Sequence, residues 1–439
     1  MFNVEQFMTP NPQIVKSIEQ LNYRVTVGDV AAQAGLELNL AQQGLLALAS
    51  DAGGHLQVAE SGDIIYSFPK NFRSILRNKY WQLRWQQWWS RIWRILFYLI
   101  RISFGIILIA SILLMLVAVI AIFIAMSASR GDDDDRGGYD GGGGSIFMPH
   151  FWIGPDIFWW FDPGYNSQRR QRLREATGET NLSFLEAIFS FLFGDGDPNS
   201  NLEIERWETI GTAITNNQGA VISEQIAPYV DKVDEYEDYM LPVLSRFNGY
   251  PEVSPQGEII YYFPELQVTA ATRQERSIFD YLPEKLWRFS QASSGQIMVA
   301  VGLGSANLIL ALILGSLLRD GTVAAQIGGL VAFVGSIYWI LLAYGVAFLT
   351  IPLIRYFWLQ GRNQKIANRN ETRQARAMVL NSGEAALQQK INYAKQFARQ
   401  KVISDRDITY TTETDLLDQN LENKDRLDRD WEERLGSGS

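Results

Sequence analysis

Cysteine is absent from the 439 residues, and histidine occurs only as His55 and His150. Disulfides are thereby excluded, no thiolate is available to an iron–sulfur cluster, and a zinc site would need carboxylates almost alone. The first 20 residues lack a basic region leading into an apolar run, so the expectation is that there is no cleavable signal and that a soluble domain is made before any membrane segment emerges. A further absence is local: Ile102–Ser129 holds no charged residue over 28 positions. At about 1.5 Å per residue it exceeds the roughly 20 residues that cross a hydrocarbon core, which predicts a membrane span over 102–129.

The rest is a mixture of soluble and embedded parts, 47% hydrophobic with a mean hydropathy of −0.07. The net charge of −9 is segregated, because basic residues crowd beside apolar stretches while acidic ones fill the remainder. That distribution is unlike that of a nucleic-acid binder.

Residues 1–70 read as helix, short strand, two helices and a hairpin. Val25-Thr26-Val27 is a brief strand, Asp29–Gly35 a short helix closed by glycine, and Leu40–Ala49 a second helix with Leu40, Leu45 and Leu48 facing the core. Leu56-Gln57-Val58 and Ile64–Phe68 flank the turn Glu60-Ser61-Gly62-Asp63. This order is the plan of a winged helix. Charge argues against DNA: three basic residues face seven acidic ones, and the helix that would enter a groove has no Lys or Arg. Phosphate neutralisation supplies nearly all non-specific DNA affinity, so a winged helix used for protein contacts is expected.

Across 71–101, tryptophans and basic residues interleave at helical spacing. The predicted membrane anchors are Trp81, Arg84, Trp85, Trp88, Trp89, Arg91 and Arg94, indoles in the headgroup layer and guanidiniums at lipid phosphates. By the positive-inside rule the first domain is then cytoplasmic.

Residues 130–165 follow as an acidic, glycine-rich loop with Asp132–Asp135 and Gly141–Gly144, read as solvated rather than metal-binding, and an aromatic segment broken by Pro149, Pro155 and Pro163. Arg169, Arg170, Arg172 and Arg174 again look cytoplasmic after one apparent crossing. Three alternatives stand: residues 92–126 form a hairpin, the aromatic segment returns across the bilayer, or the second soluble domain lies on the other side.

That second domain is expected over 166–270. Its Leu182–Phe193 reads as an amphipathic helix. Asp195, Asp197, Asn199, Asn201 and Glu203 alternate as in a calcium loop, but Ser200 replaces the central glycine and Arg206 the final carboxylate, so a turn in which Pro198 opens the next helix is the better reading. The chain then repeats itself. Gly249, Val253, Gly257, Ile259, Ile260, Tyr261, Phe263 and Pro264 stand 195 positions after Gly54, Val58, Gly62, Ile64, Ile65, Tyr66, Phe68 and Pro69, and Ile226-Ala227 stands 196 after Val30-Ala31. The same hairpin on the same helix pair is predicted. Residues 201–270 carry three basic against twelve acidic residues, which removes DNA binding further.

A transmembrane hairpin is expected at 297–354, as Ile297–Leu318 and Val323–Ile354, with basic flanks on both sides. Gly302, Gly304, Gly315, Gly328, Gly329 and Gly335 permit close helix approach within the chain or between copies, so a homo-oligomer is among the expected assemblies. No ionisable residue sits at mid-span, which leaves a transporter without a relay. Residues 362–405 read as a cytoplasmic helix with Lys390 on its surface, 406–435 as a mobile acidic tail, and 436–439 as an appended linker.

The expected fold class is mixed: two winged-helix-like α+β soluble domains combined with α-helical transmembrane segments. On Phe189-Ser190-Phe191-Leu192-Phe193-Gly194-Asp195-Gly196-Asp197-Pro198-Asn199, the aromatic segment and the doubled hairpin, the chain resembles a cyanobacterial and plastid family of integral membrane proteins of unsettled function, some labelled iron–sulfur cluster biosynthesis proteins. The resemblance implies a photosynthetic organism and its thylakoid or plasma membrane. The expected function is a non-enzymatic membrane scaffold or assembly factor without cofactor, its partners the lipid bilayer and photosystem subunits or insertion machinery, with no nucleic acid. Tyr66, Phe68, Tyr261 and Phe263 are the predicted docking residues. The alternatives are a membrane-anchored winged-helix transcription regulator and a transporter or membrane enzyme.

Overall fold

The structure is a computed structural model; the residues it describes are 11–79, 81–129, 182–234, 236–272, 275–319, 322–415 and 418–419. The expectations for 130–165, for the arginines at 169–174 and for the tail beyond 419 lie outside them.

In chain order the elements are α1 (Pro12–Gln20), β1 (Arg24–Thr26), α2 (Val27–Ala34), α3 (Leu38–Ala52), β2 (His55–Ala59), β3 (Ile64–Ser67), α4 (Phe72–Lys79) and α5 (Trp81–Ser129). They continue with α6 (Phe184–Phe193), α7 (Leu202–Asn216), β4 (Ala220–Val221), α8 (Ser223–Ile226), α9 (Leu241–Phe247), β5 (Tyr250–Val253), β6 (Ile259–Tyr262) and β7 (Val268–Thr269). Then come α10 (Ser294–Leu317), α11 (Thr322–Ile327), α12 (Gly329–Ser336), α13 (Tyr338–Leu380), α14 (Ala385–Ala394), β8 (Lys401–Val402) and β9 (Ile408–Thr411). The described residues form two compact units: those within 1–90, 198–286 and 365–439 make one, and those within 91–197 and 287–364 the other.

In the first unit, local chemistry sets the boundaries. The Asn11 side chain caps α1 with Pro12 behind it, and Thr26 and Asp29 form a reciprocal capping box for α2, which ends at Gly35 with φ 61°. The sheets run in the orders β1-β3-β2-β9 and β4-β6-β5, and β7 pairs parallel with β8. Val25 lies opposite Tyr66, and Val221 opposite Tyr261. Backbone bonds recur at the sequence offset: Phe68 N–H donates to Tyr23 O and Phe263 N–H to Gly219 O, both at 2.8 Å. The turn bonds of Gly62 N–H to Ala59 O and Gly257 N–H to Ser254 O are both 2.9 Å.

The two halves share one core. Ile14, Ile18, Val30, Leu45 and Leu48 from the first pack in the same buried cluster as Ile210, Ile214, Val221, Phe247 and Leu266 from the second. The approach that permits this is between α2 and α7, where a Cβ on Gly211 would lie 2.6 Å from Ala32 O. Halves with a common core cannot lie on opposite sides of a bilayer, so that alternative for the second domain is corrected. Leu40, expected inside, is exposed, because Ala41, Leu45, Leu48 and Ala52 form the inward stripe of α3.

The acidic tail also differs from expectation, since its start is ordered. β9 joins the edge of β2 with Val58 opposite Tyr410, and the Leu56 N–H donates to Thr412 Oγ1 at 2.9 Å. In the second half the position equivalent to Leu56 is Pro251, which has no N–H, and β5 remains a sheet edge.

In the second unit, α5 continues without a break, since nothing in its apolar run stops a helix, and the hairpin alternative for 92–126 is corrected. Among the described residues, three helices are long and apolar enough to cross a membrane: Trp88–Ser127, Ser294–Leu317 and Tyr338–Leu380. The predicted single arm Val323–Ile354 is instead broken at Gly328 and Gly329, whose φ values of 65° and 55° a right-handed helix cannot hold. Met115, Ala118 and Ile122 of α5 pack with Leu310 and Leu314 of α10 and Val331 and Val334 of α12. Between them the Ser111 hydroxyl donates to Asn307 Oδ1 at 2.7 Å. Asp195 pairs with Arg101 and accepts from Ser190 Oγ at 2.5 Å and Gln291 N–H at 2.9 Å. Arg355 donates to Ser190 O and Phe191 O at the end of α6, the favourable pole of the helix dipole for a cation. The alternating carboxylates read against a calcium loop thus begin with one that serves as a helix-to-helix tie.

Replacing Gly211 by Val should force α2 and α7 apart at a cost of about 1–3 kcal/mol. Amide exchange should accelerate in both halves together; acceleration confined to the second would show that the core is not shared.

Candidate functional site

The polar chemistry of the first unit is concentrated around an extended strap, residues 276–286, which carries neither helix nor strand. Backbone outside regular structure needs partners for its peptide groups, and here carboxamides supply them. Asn216 donates to Arg276 O at 2.8 Å and accepts from its N–H at 3.2 Å. Asn370 accepts from Glu284 N–H at 2.9 Å and donates to Glu284 O at 2.8 Å. Asn199 holds Lys285 in the same way, with both bonds at 2.8 Å. Gln419 treats Thr411 alike, accepting from its N–H at 3.0 Å and donating to its carbonyl at 2.6 Å. In the second unit Asn363 clasps the N–H and C=O of Trp287, again at 2.8 Å each. A primary amide presents one acceptor and a donor side by side, so it can meet both groups of one residue.

Ion pairs fix the same strap to the polar end of α13. Arg373 is fully buried; it donates to Leu282 O at 2.9 Å and to Asp231, and its guanidinium lies 2.9 Å from Glu284 Oε1 as an ion pair. Arg369 meets Glu284 with two bonds of 2.8 and 2.6 Å. Burial alone would raise the Glu284 carboxyl, but the Arg369 hydrogen bond and the charges of Arg373 and Arg369 outweigh it and hold the group below its ordinary range. Asp231 is likewise depressed, with burial opposed by Arg373 and Arg206.

Lys390, expected on the surface, is buried against the second half, donating to Glu224 at 3.0 Å and Glu237 at 3.3 Å. Ser223 lies 3.3 Å from its Nζ, but this hydroxyl is buried and bonded to Glu237 at 2.6 Å, closed to a substrate. Among the described residues no three of His, Asp and Glu group as metal ligands.

Of the predicted anchors, Trp85, Trp88, Trp89, Arg91 and Arg94 are exposed along α5, whereas the side chains of Trp81 and Arg84 lie outside the described ones. The predicted docking residues are corrected. Tyr66, Phe68, Tyr261 and Phe263 are all buried, because the alternation of each hairpin turns these positions to the shared core, where they cannot meet a partner. The Tyr261 hydroxyl donates to Glu237 at 2.5 Å. Sequence reading missed the carboxamide clamps, whose signal is weak: asparagines at 199, 216 and 370, far apart in the chain.

Replacing Arg373 by Met should leave Glu284 buried beside one cation fewer and cost about 3–5 kcal/mol. The measurement is protease sensitivity of the strap. The depressed carboxyls work in the same sense: their contribution is complete above the ordinary carboxylate range and fades as pH falls through the lowered values. Amide exchange in 282–286 should therefore rise below about pH 4 in the natural chain.

No family model and no solved structure matches the chain. A search of curated proteins finds a relative in Arabidopsis thaliana, "Uncharacterized protein At5g03900, chloroplastic", 38% identical over 436 residues. The match spans 95% of this chain and 81% of the relative. At that identity and coverage, the chain belongs to the same family as the Arabidopsis protein.

Proposed function

We propose that this protein is a non-enzymatic membrane scaffold or assembly factor, its paired halves a duplicated winged-helix-like platform that docks protein partners beside a photosynthetic membrane. The observation that carries the reading is the fusion of both halves, the strap and the returning C-terminal segment into one body with a shared core. Three separated stretches of chain are spent on building a surface, and the buried ionic groups described above hold elements together. The relative is chloroplastic by name, which favours a plastid-type or thylakoid setting for this chain too. The tryptophan and arginine side chains exposed on α5 fit a headgroup layer, and by charge bias the platform faces the cytoplasm or stroma.

A protein surface rather than DNA is the better target, because Leu38–Ala52 exposes Asn39, Leu40, Gln42, Gln43, Leu46 and Ala47 and carries no cation.

The test is purification of the tagged full chain from its native membrane in mild detergent, with an absorption spectrum and mass spectrometry. Stoichiometric pigment–protein subunits or insertion machinery are expected. A colourless protein that brings down nothing sinks the proposal.

A further inference from the structure

A cleft of about 680 Å³ opens in the first unit where the two halves and the C-terminal segment meet. Six carboxamides line it: Gln20, Asn22, Gln33, Asn216, Gln218 and Gln400. Its charges balance, Arg24 and Arg276 against Asp29 and Glu275. No aromatic residue is among its described lining residues, so it lacks the flat face on which a base stacks.

Two of these residues sit in backbone that side chains avoid, Asn22 at φ 59° and Gln218 at φ 53°. Non-glycine residues in that region are uncommon, and such strain gathers at functional sites. The two positions are equivalent, 196 residues apart in the two halves. The turns that carry them make the same bond, Tyr23 N–H to Ile18 O and Gly219 N–H to Ile214 O, both at 2.9 Å. Gln20 and Asn216 correspond in the same way. A glycine would satisfy either position without strain, as Gly219 does one residue on in the second half, where the first half has Tyr23 at φ 66°.

The chain shows what its carboxamides do. Asn199, Asn216, Asn370 and Gln419 each grip one residue of non-helical backbone by both its N–H and its C=O. In the cleft, Gln33 donates to Gln20 at 2.7 Å, and Asn216 already holds the strap. Asn22, Gln218 and Gln400 are exposed to whatever enters.

We propose that the cleft receives an extended, uncharged segment of a partner polypeptide and grips it through its backbone. This rests on the docking-platform reading above and gives that platform a site. The volume lies in the range of about 300–1,000 Å³ found for small-molecule pockets, room for a few residues of extended chain. Because main-chain bonds supply the affinity, many sequences are accepted so long as they are extended and uncharged.

The test uses the full chain in detergent micelles and a labelled nine-residue peptide of three Ser-Val-Thr repeats with blocked ends, read by fluorescence anisotropy. Its comparison is the same peptide N-methylated at alternate residues, with maltotriose as a sugar competitor. Saturable binding is expected, weakened about tenfold or more by N-methylation and by the double substitution Asn22→Gly and Gln218→Gly, which keeps both turns relaxed. Gln33→Ala, which changes neither strained backbone position, should weaken it in the same direction. Absence of saturable binding, equal affinity for the N-methylated peptide, displacement by maltotriose, or full binding by the double variant would each overturn the proposal. The membrane purification, run in parallel on natural chain and double variant, separates the two readings. Partners held equally by both count against the cleft and leave the platform standing, whereas partners on neither remove the platform.

Discussion

The contact on which the first unit depends is the approach of α2 and α7 at Ala32 and Gly211. A helix pair this close requires a residue without a side chain, and the gain is that two small helical hairpin modules bury their apolar faces against each other. A module of about 60–70 residues buries too little surface to be robust alone. Joined, the halves place Ile18, Leu45, Ile214 and Phe247 in one interior. The remaining parts of the unit depend on that joint surface: the strap lies on it, α14 packs on the second half through Leu387 and Ala394, and the cleft exists only because the halves meet.

Polar groups then do the work that an apolar core cannot, which is to fix irregular backbone. The strap contributes Leu282 to the core, and its peptide groups are met by asparagines and its carboxylate Glu284 by two arginines. Such ties are directional, so they specify one path for a segment with little intrinsic preference. In the second unit the same division holds. Apolar helices pack through small and branched residues, and polar ties order them, among them Ser111 with Asn307, Asp195 with Arg101, and Arg355 with the end of α6.

Much of this was legible in the residues. The hairpins announced themselves by the spacing of Ile64–Phe68 and Ile259–Phe263 around glycine turns, and the doubled register carried over from sequence offset to hydrogen bonds. The apolar runs gave the long helices. What was not legible has physical causes. A shared core is invisible when each half shows a sensible apolar face of its own, since the sequence does not say which face finds which. β9 is short, has no buried residue and is held by backbone bonds, so Ile408-Thr409-Tyr410-Thr411 carried no strong pattern beside an acidic tail. The aromatic residues of the hairpins are suited by chemistry to docking, but the strand alternation sends Tyr66 and Tyr261 inward. The break at Gly328 and Gly329 could have been found, as adjacent glycines disfavour a continuous helix. The purpose of the carboxamides in the cleft could not, because it depends on two turns 196 positions apart facing one space.

The returning strand ties the fold to the time course of synthesis. Leu56 and Thr412, bonded across β2 and β9, are 356 residues apart. At translation rates of about 5–20 residues per second, that separation is roughly 20–70 s. For that interval the first sheet has been made but one of its edges is bare, and the helices long and apolar enough to cross a membrane are synthesised in between. The second sheet has no such wait, because Pro251 blunts its corresponding edge from the start. Closure of the first sheet therefore reports that the chain has been read through to β9, so a sheet begun early in synthesis is completed by a strand made long after it.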